Sequence, residues 1–137
     1  MEGFRFSTPY AVRVADVNYG GHVSNAAVLN YFQDARIAYL AHLGTFSELN
    51  LGEDCGIILP EAQVRYRAEM FFGDALEIGV RISEVRNSAF VMAYRIERGG
   101  QTTAEGTTAL VAFDYATRKP RRLPADFRSA VLKFEKL

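Results

Sequence analysis

The longest periodic stretch of the chain, SNAAVLNYFQDARIAYLAHLG, predicts one long amphipathic helix over residues 24–44. Such a helix has about five turns. Ser24 or Asn25 can cap its start, and Gly44 can end it. Apolar side chains recur at spacings of three and four, as on one face of an α-helix: Val28, Leu29, Phe32, Ala35, Tyr39, Leu40 and Leu43.

Alternation of apolar and polar residues predicts strands on both sides of this helix. Gly99-Gly100 offers a tight hairpin turn between the last two strands. The first part of the final strand is rich in Ala, Gly and Thr, whose small side chains let the long helix approach the sheet closely. The predicted strands cover residues 10–16, 62–69, 76–83, 89–97 and 101–114.

The order of these elements indicates an α+β fold, in which an antiparallel sheet wraps one central helix. A parallel βαβ arrangement is disfavoured, because there is one long helix and the late strands are joined by hairpin-length turns. A chain of 137 residues suits one domain with its own core. We therefore expect a single domain over residues 1–137.

The charge balance bears on the kind of partner that the protein binds, and the cysteine content bears on its cellular compartment. Lys plus Arg and Asp plus Glu number 16 each, so the basic excess typical of nucleic-acid binding is absent. A net charge of zero gives little protection against self-association, which fits an oligomer. Cys55 is the only cysteine, so no intrachain disulfide can form and we expect a cytoplasmic protein. We expect neither a membrane span nor a signal peptide.

Candidate chemistry is concentrated in the loop DVNYGGHVSN, residues 16–25, directly before the long helix. The first N–H groups of a helix lack internal partners and carry the positive end of its dipole. The amides from Val23 to Ala27 therefore form a ready site for negative charge, and Gly20 and Gly21 leave room for a ligand. An oxyanion formed during acyl transfer suits such a site, where one donor contributes about 3–4 kcal/mol.

Asp16, Asn18 and His22 are close enough in sequence to hold a water or a carbonyl group together. If the preceding strand continues, the first two point to the same face. The same composition is also common in a polar turn that only starts a helix. A metal site is not expected, because two histidines and one cysteine are too few and badly spaced.

The loop and helix together resemble the hotdog-fold thioesterases of the 4-hydroxybenzoyl-CoA and acyl-CoA thioesterase type. Their helix entry reads roughly Asp-x-Asp-x-x-Gly-His-Val-x-Asn. Further matching blocks are VRYRAEMFFGDALEIGVRI and TTALVAFDYATRKPRRLP, so the resemblance covers about residues 10–124. The matching positions at the helix entry and in the helix are Asp16, Gly21-His22-Val23, Asn25 and Asp34-Ala35-Arg36.

This resemblance implies a hotdog fold, with a five-stranded antiparallel sheet around the central helix. It implies hydrolysis of an acyl-CoA or acyl-carrier-protein thioester, with coenzyme A as part of the substrate and no other cofactor. It also implies a homodimer with its active sites at the interface, often paired into a dimer of dimers. The substrate carbonyl would bind at the helix start, around Gly21, Val23, Ser24 and Asn25.

The sequence departs from the family pattern at the position of the catalytic base. Asn18 stands where much of the family carries its catalytic aspartate, and a carboxamide is no useful general base. The alternatives are Asp16, His22 and Glu69. The last of these lies in YRAE, which resembles a strand motif of plant acyl-carrier-protein thioesterases whose glutamate is implicated in catalysis.

The basic cluster RKPRR, residues 118–122, is a candidate for binding the phosphates of coenzyme A through Arg118, Lys119 and Arg121. A solvated turn is the simpler explanation. Two rival functions remain open beside thioester hydrolysis. One is a non-catalytic module that binds acyl-CoA, and the other is a hydratase or dehydratase acting on acyl thioesters.

Overall fold

The structure, a computed structural model, describes all 137 residues as two helices packed on one antiparallel sheet. The helices are α1 (Asn25–Leu43) and α2 (Ala125–Glu135). The strands are β1 (Phe6–Ala11), β2 (Gly56–Tyr66), β3 (Ala75–Val85), β4 (Ala89–Arg98), β5 (Gln101–Asp114) and the short β6 (Lys119–Pro120). Five strands lie in the order β1-β3-β4-β5-β2, and β6 pairs with β5. This is the predicted hotdog architecture with one short strand added.

The long helix begins and ends where the sequence predicts. The Ser24 side chain accepts a hydrogen bond from the N–H of Ala27 at 3.3 Å, which satisfies one of the open donors of the first turn. At the other end, the N–H of Gly44 donates to the carbonyl of Leu40 at 3.3 Å. Neither α1 nor α2 has both the length and the apolar character needed to cross a membrane.

The sheet approaches α1 closely at Gly106 of β5. A Cβ at this position would lie 2.3 Å from the carbonyl oxygen of Gln63 and 2.8 Å from the ring of Phe32. The predicted role of the small residues in this strand is therefore confirmed. The hairpin at Gly99-Gly100 is confirmed as well, since both residues have positive φ, 56° and 83°, which favours glycine.

The core lies between α1 and the concave face of the sheet. Each large apolar side chain buried there contributes about 1.5–3 kcal/mol to the free energy of unfolding. One polar network crosses this core, in which buried Arg36 donates to Glu48 at 2.7 Å and to the Tyr94 hydroxyl at 3.0 Å. The large buried side chains around it include Tyr31, Phe32, Tyr39, Ile78, Ile82, Phe90, Met92 and Ile96.

Two predicted strands were misplaced, and one helix was missed. The strand predicted at residues 62–69 is Gly56–Tyr66. The strand predicted at residues 10–16 is Phe6–Ala11, and a 3₁₀ turn follows at Val14–Asp16. The ladder ends there because Ala11 already pairs with Ala75, the first residue of β3. The helix Ala125–Glu135 was not predicted, although Phe127 and Val131, four residues apart, bury its apolar face.

Candidate active site

The loop before α1 folds into a tight turn that places His22 beside the helix start. The N–H of Asn18 donates to the carbonyl of His22 at 2.9 Å, and the N–H of Gly21 donates to the carbonyl of Asn18 at 3.0 Å. Gly21 has a φ of 88°, a conformation that favours glycine, and an added Cβ there would meet nothing within 4 Å. The space for a ligand that the sequence predicts at this glycine is therefore present.

The Asn18 side chain is fixed by the backbone of the same turn. Its Oδ1 accepts a hydrogen bond from the N–H of Gly20 at 2.9 Å. The carboxamide nitrogen makes no hydrogen bond within the chain, so it is available to an oxygen of a ligand or of water. This arrangement suits a group that orients a ligand.

The His22 imidazole is oriented by the backbone of the next residue. Its Nδ1 lies 3.1 Å from the carbonyl oxygen of Val23. Because a carbonyl only accepts hydrogen bonds, this contact assigns the proton to Nδ1. The neutral ring then carries its lone pair on Nε2, the atom able to accept a proton from water.

The backbone before α1 is tied to two other segments. The N–H of Val23 donates to the carbonyl of Met70 at 2.7 Å, and the N–H of Ser24 donates to the carbonyl of Asp16 at 3.0 Å. These two amides, which the sequence places among the substrate-binding donors, are thus already used to hold the loop.

Two donors at the helix start remain open. The N–H of Ala27 is satisfied by the backbone and side-chain oxygens of Ser24, whereas the N–H groups of Asn25 and Ala26 have no partner in the chain. Together with the positive end of the α1 dipole, they form a site for a developing negative charge.

A pocket of about 230 Å³ brings this helix start together with His22 and Glu69. Glu69 follows β2, 47 positions after His22 in the chain (69 minus 22). Tyr66 also lines the pocket, and its hydroxyl donates to the carbonyl of Asn25 at 2.9 Å. Sequence reasoning missed Tyr66, although it stands in the same VRYRAE block that drew attention to Glu69. The full lining is His22, Val23, Asn25, Val28, Tyr66, Arg67, Ala68, Glu69 and Met70.

Asp16 does not line this pocket. Its Oδ2 accepts hydrogen bonds from the Tyr31 hydroxyl at 2.9 Å and from Nε of Arg13 at 3.2 Å. Burial and the hydrogen bond to this carboxylate both raise the pKa of Tyr31. Because the chain leaves the sheet at Ala11, Asp16 faces α1 and does not share a face with Asn18 as a continued strand would require.

The basic cluster lies away from this pocket in the single chain. Phe113 of β5 pairs with Pro120 of β6, whereas the pocket is near Tyr66, which pairs with Ala104 at the other end of β5. Ten residues of strand separate Ala104 from Asp114, roughly 33 Å.

The three basic side chains differ in what they contact. Arg121 is paired with Glu53 at 3.0 Å. The Arg118 guanidinium lies 5.9 Å from the centre of the Phe113 ring, and Lys119 is exposed. No group of three or more His, Cys, Asp or Glu side chains in the structure has the arrangement needed to hold a metal ion.

Comparison with known proteins agrees with this architecture. The family model of the thioesterase-like superfamily matches residues 12–131. The acyl-CoA thioesterase YbgC of Haemophilus influenzae is 25% identical, over 91% of this chain and 93% of that protein. A 1,4-dihydroxy-2-naphthoyl-CoA hydrolase of Synechococcus elongatus is 27% identical, over 82% of this chain and 85% of that protein.

Among solved structures, a thioesterase from Thermus thermophilus, complexed with coenzyme A and Zn, superimposes with a TM-score of 0.88. It is 27% identical, with 100% of this chain and 98% of that chain covered. The long helix inside its sheet and the match over residues 12–131 show that this chain belongs to the thioesterase-like superfamily and has its hotdog fold.

Proposed function

We propose that this protein is a thioester hydrolase that acts on acyl-CoA. The observation that carries the proposal is the pocket that His22, Glu69 and Asn25 line at the start of α1, where the N–H groups of Asn25 and Ala26 are open. The relatives named as acyl-CoA thioesterase and 1,4-dihydroxy-2-naphthoyl-CoA hydrolase support the same chemistry. The single cysteine favours a reducing compartment, and a cytoplasmic location belongs to this proposal.

The thioester carbonyl oxygen binds to the N–H groups of Asn25 and Ala26. Attack on the carbonyl carbon places negative charge on this oxygen, and the two amides and the helix dipole stabilise that charge. In other enzymes, loss of one such donor raises the barrier by about 3–4 kcal/mol. Asn18 does not line the pocket, and its free carboxamide N–H orients the water or the substrate from the turn beside His22.

A water molecule supplies the nucleophile. His22 Nε2 orients it, and the Glu69 carboxylate accepts its proton, a contribution of about 10²–10⁴-fold in rate. The oxygen bonds to the carbonyl carbon, the C–S bond breaks, and the thiolate takes up the proton. Asp16 serves as the anchor of the loop, because its carboxylate is bound to Tyr31 and Arg13.

The proposal includes a homodimer formed along β2. This strand is an edge of the sheet, and Ile58, Leu59 and Tyr66 expose apolar surface on it. Antiparallel pairing of two β2 strands would put the Gly56 end of one subunit beside the Tyr66 end of the other. Gly56 pairs with Phe113, so the basic cluster of the second subunit would approach the pocket and could bind the phosphates of coenzyme A. Further pairing into a tetramer is part of the same proposal.

A thiol-release assay over acyl- and aryl-CoA esters of increasing chain length tests the function. We expect saturable release that falls about 10²-fold or more in Glu69→Gln and in His22→Asn. Glu84→Gln, at an exposed position of β3 outside the pocket, is the matched control and should keep wild-type turnover.

Two other outcomes would replace the proposal. Binding of acyl-CoA without any thiol release would indicate a binding module. Addition of water to an enoyl-CoA with the thioester intact would indicate a hydratase.

A further inference from the structure

We propose that Arg98 and Asp74 form a positioning pair that fixes the position of Glu69 relative to His22. The inference rests on the proposed function, because Glu69 and His22 are the groups that this function uses. Arg98 is the last residue of β4. Its Nη1 donates to the carbonyl oxygen of Glu69 at 2.6 Å and to Oδ2 of Asp74 at 3.0 Å.

Asp74 holds the other side of the same turn. Its Oδ2 accepts a hydrogen bond from the N–H of Phe71 at 2.8 Å, and its own N–H donates to the Phe71 carbonyl at 3.0 Å. The hydrogen bond from Phe71 and the Arg98 charge lower the pKa of Asp74. The guanidinium also lies 5.9 Å from the centre of the Phe71 ring. One ion pair therefore fixes residues 69–74 at both ends.

This segment is also the one that carries the His22 loop. The Met70 carbonyl accepts from the N–H of Val23, and Phe71 forms an antiparallel bridge with His22. A shift of the turn would therefore move the Glu69 carboxylate and the His22 ring relative to each other. Arg98 and Asp74 do not line the pocket, so they act through these two residues and not on the substrate.

Steady-state kinetics of Arg98→Gln and Asp74→Asn test the pair. We expect kcat to fall about 10–100-fold with KM changed less than about twofold, because misplaced groups cost rate more than binding. The double variant should have a kcat no lower than that of the slower single variant, because either substitution alone already breaks the Arg98–Asp74 ion pair. Arg98→Lys, which can bind one of the two acceptors, should recover part of kcat. Arg86→Gln, at the far hairpin and paired with Glu84, is the matched control.

A second readout is independent of turnover. The chain has two histidines, and His42 lies near the far end of α1. In a proton NMR spectrum, the ring signals of His42 therefore serve as an internal reference for those of His22. Arg98→Gln should shift the His22 signals as Glu69→Gln does and leave those of His42 in place. Unmoved His22 signals, or a loss expressed only in KM, would overturn the inference. If the wild type releases no thiol, the proposed hydrolysis fails, while the His22 signals still decide the role of Arg98.

Discussion

The Tyr31 hydroxyl donates a hydrogen bond to Oδ2 of Asp16 over 2.9 Å, which ties the middle of α1 to the loop in front of it. The backbone carbonyl of Asp16 meanwhile accepts from the N–H of Ser24, the residue that caps α1. One aspartate therefore sets both the position of the loop and the start of the helix. The loop holds His22 and Asn18, so this contact determines where the candidate catalytic groups lie.

Removal of this contact should weaken both stability and activity. We expect Tyr31→Phe to lower the free energy of unfolding by about 1–3 kcal/mol, as for a hydrogen bond to a charged group. The thiol-release rate should fall as well, because the loop loses its anchor. Tyr39→Phe is the matched control, since it removes a hydrogen bond to the Glu135 carboxylate near the other end of α1. It should cost stability without changing kcat, and equal losses of kcat in both variants would contradict the anchoring role.

The basic cluster can be tested with substrates that differ only in their phosphates. In Arg118→Gln combined with Lys119→Gln, KM for an acyl-CoA should rise about three- to tenfold, as expected for one or two exposed charge pairs. KM for the matching acyl-N-acetylcysteamine ester, which has no phosphate, should stay the same.

A control and a second measurement complete this test. Lys133→Gln in α2 should change neither the KM for acyl-CoA nor the KM for the acyl-N-acetylcysteamine ester. Ile58→Glu combined with Leu59→Glu should be a monomer in sedimentation velocity. In the thiol-release assay, this monomer should show the same raised KM for acyl-CoA, because the second subunit would supply the basic cluster. A raised KM for both esters in the cluster variant would show that it does not act on phosphates.

Stability should fall at alkaline pH. Burial is the main cause that raises the pKa of Tyr10 to about 12 and places those of Tyr31, Tyr39 and Tyr94 above their usual range. These residues hold their protons more tightly in the folded state. Their contribution is therefore complete below the unfolded pKa of about 10 and is lost as the pH rises through the folded pKa.

Urea unfolding from about pH 8 to 11.5 measures this loss. The decline should be smaller in Tyr10→Phe, which has one fewer group to titrate. A tyrosinate absorbance titration should show part of the seven tyrosines ionising only together with unfolding. Ionisation of all seven near pH 10, without loss of structure, would contradict the prediction.

The approach of α1 to the sheet depends on Gly106. Gly106→Ala should lower the free energy of unfolding by about 1–3 kcal/mol, because the added methyl group meets the Gln63 carbonyl and the Phe32 ring. Thr107→Ala, at the next and exposed position of β5, is the control and should change the thermal midpoint little. A Gly106→Ala protein as stable as the wild type would mean that both β2 and the helix can move away without cost.

Local patterns in the sequence were enough to determine α1, the β4–β5 hairpin and the loop that enters the helix. Apolar spacing, a capping serine and paired glycines act over a few residues, so no knowledge of distant contacts was needed. Motifs along the chain were enough to predict the family and the hotdog fold. They also marked His22 and Glu69 as candidate catalytic residues. The strand at residues 10–16 was misplaced because its end depends on where β3 begins, which local alternation does not contain.

Only the tertiary structure decided which groups meet. Pairing of the Met70 and Phe71 backbone with His22 and Val23 brings Glu69 into the pocket from 47 positions away (69 minus 22). The turn at Val14–Asp16 directs the Asp16 carboxylate to Tyr31 and away from that pocket. Arg98 carries no motif that would mark it, and its contact with Glu69 follows from the register of β4 with β5 and of β5 with β2. Sheet register and burial are long-range properties, which is why the sequence showed the parts of this site but not their arrangement.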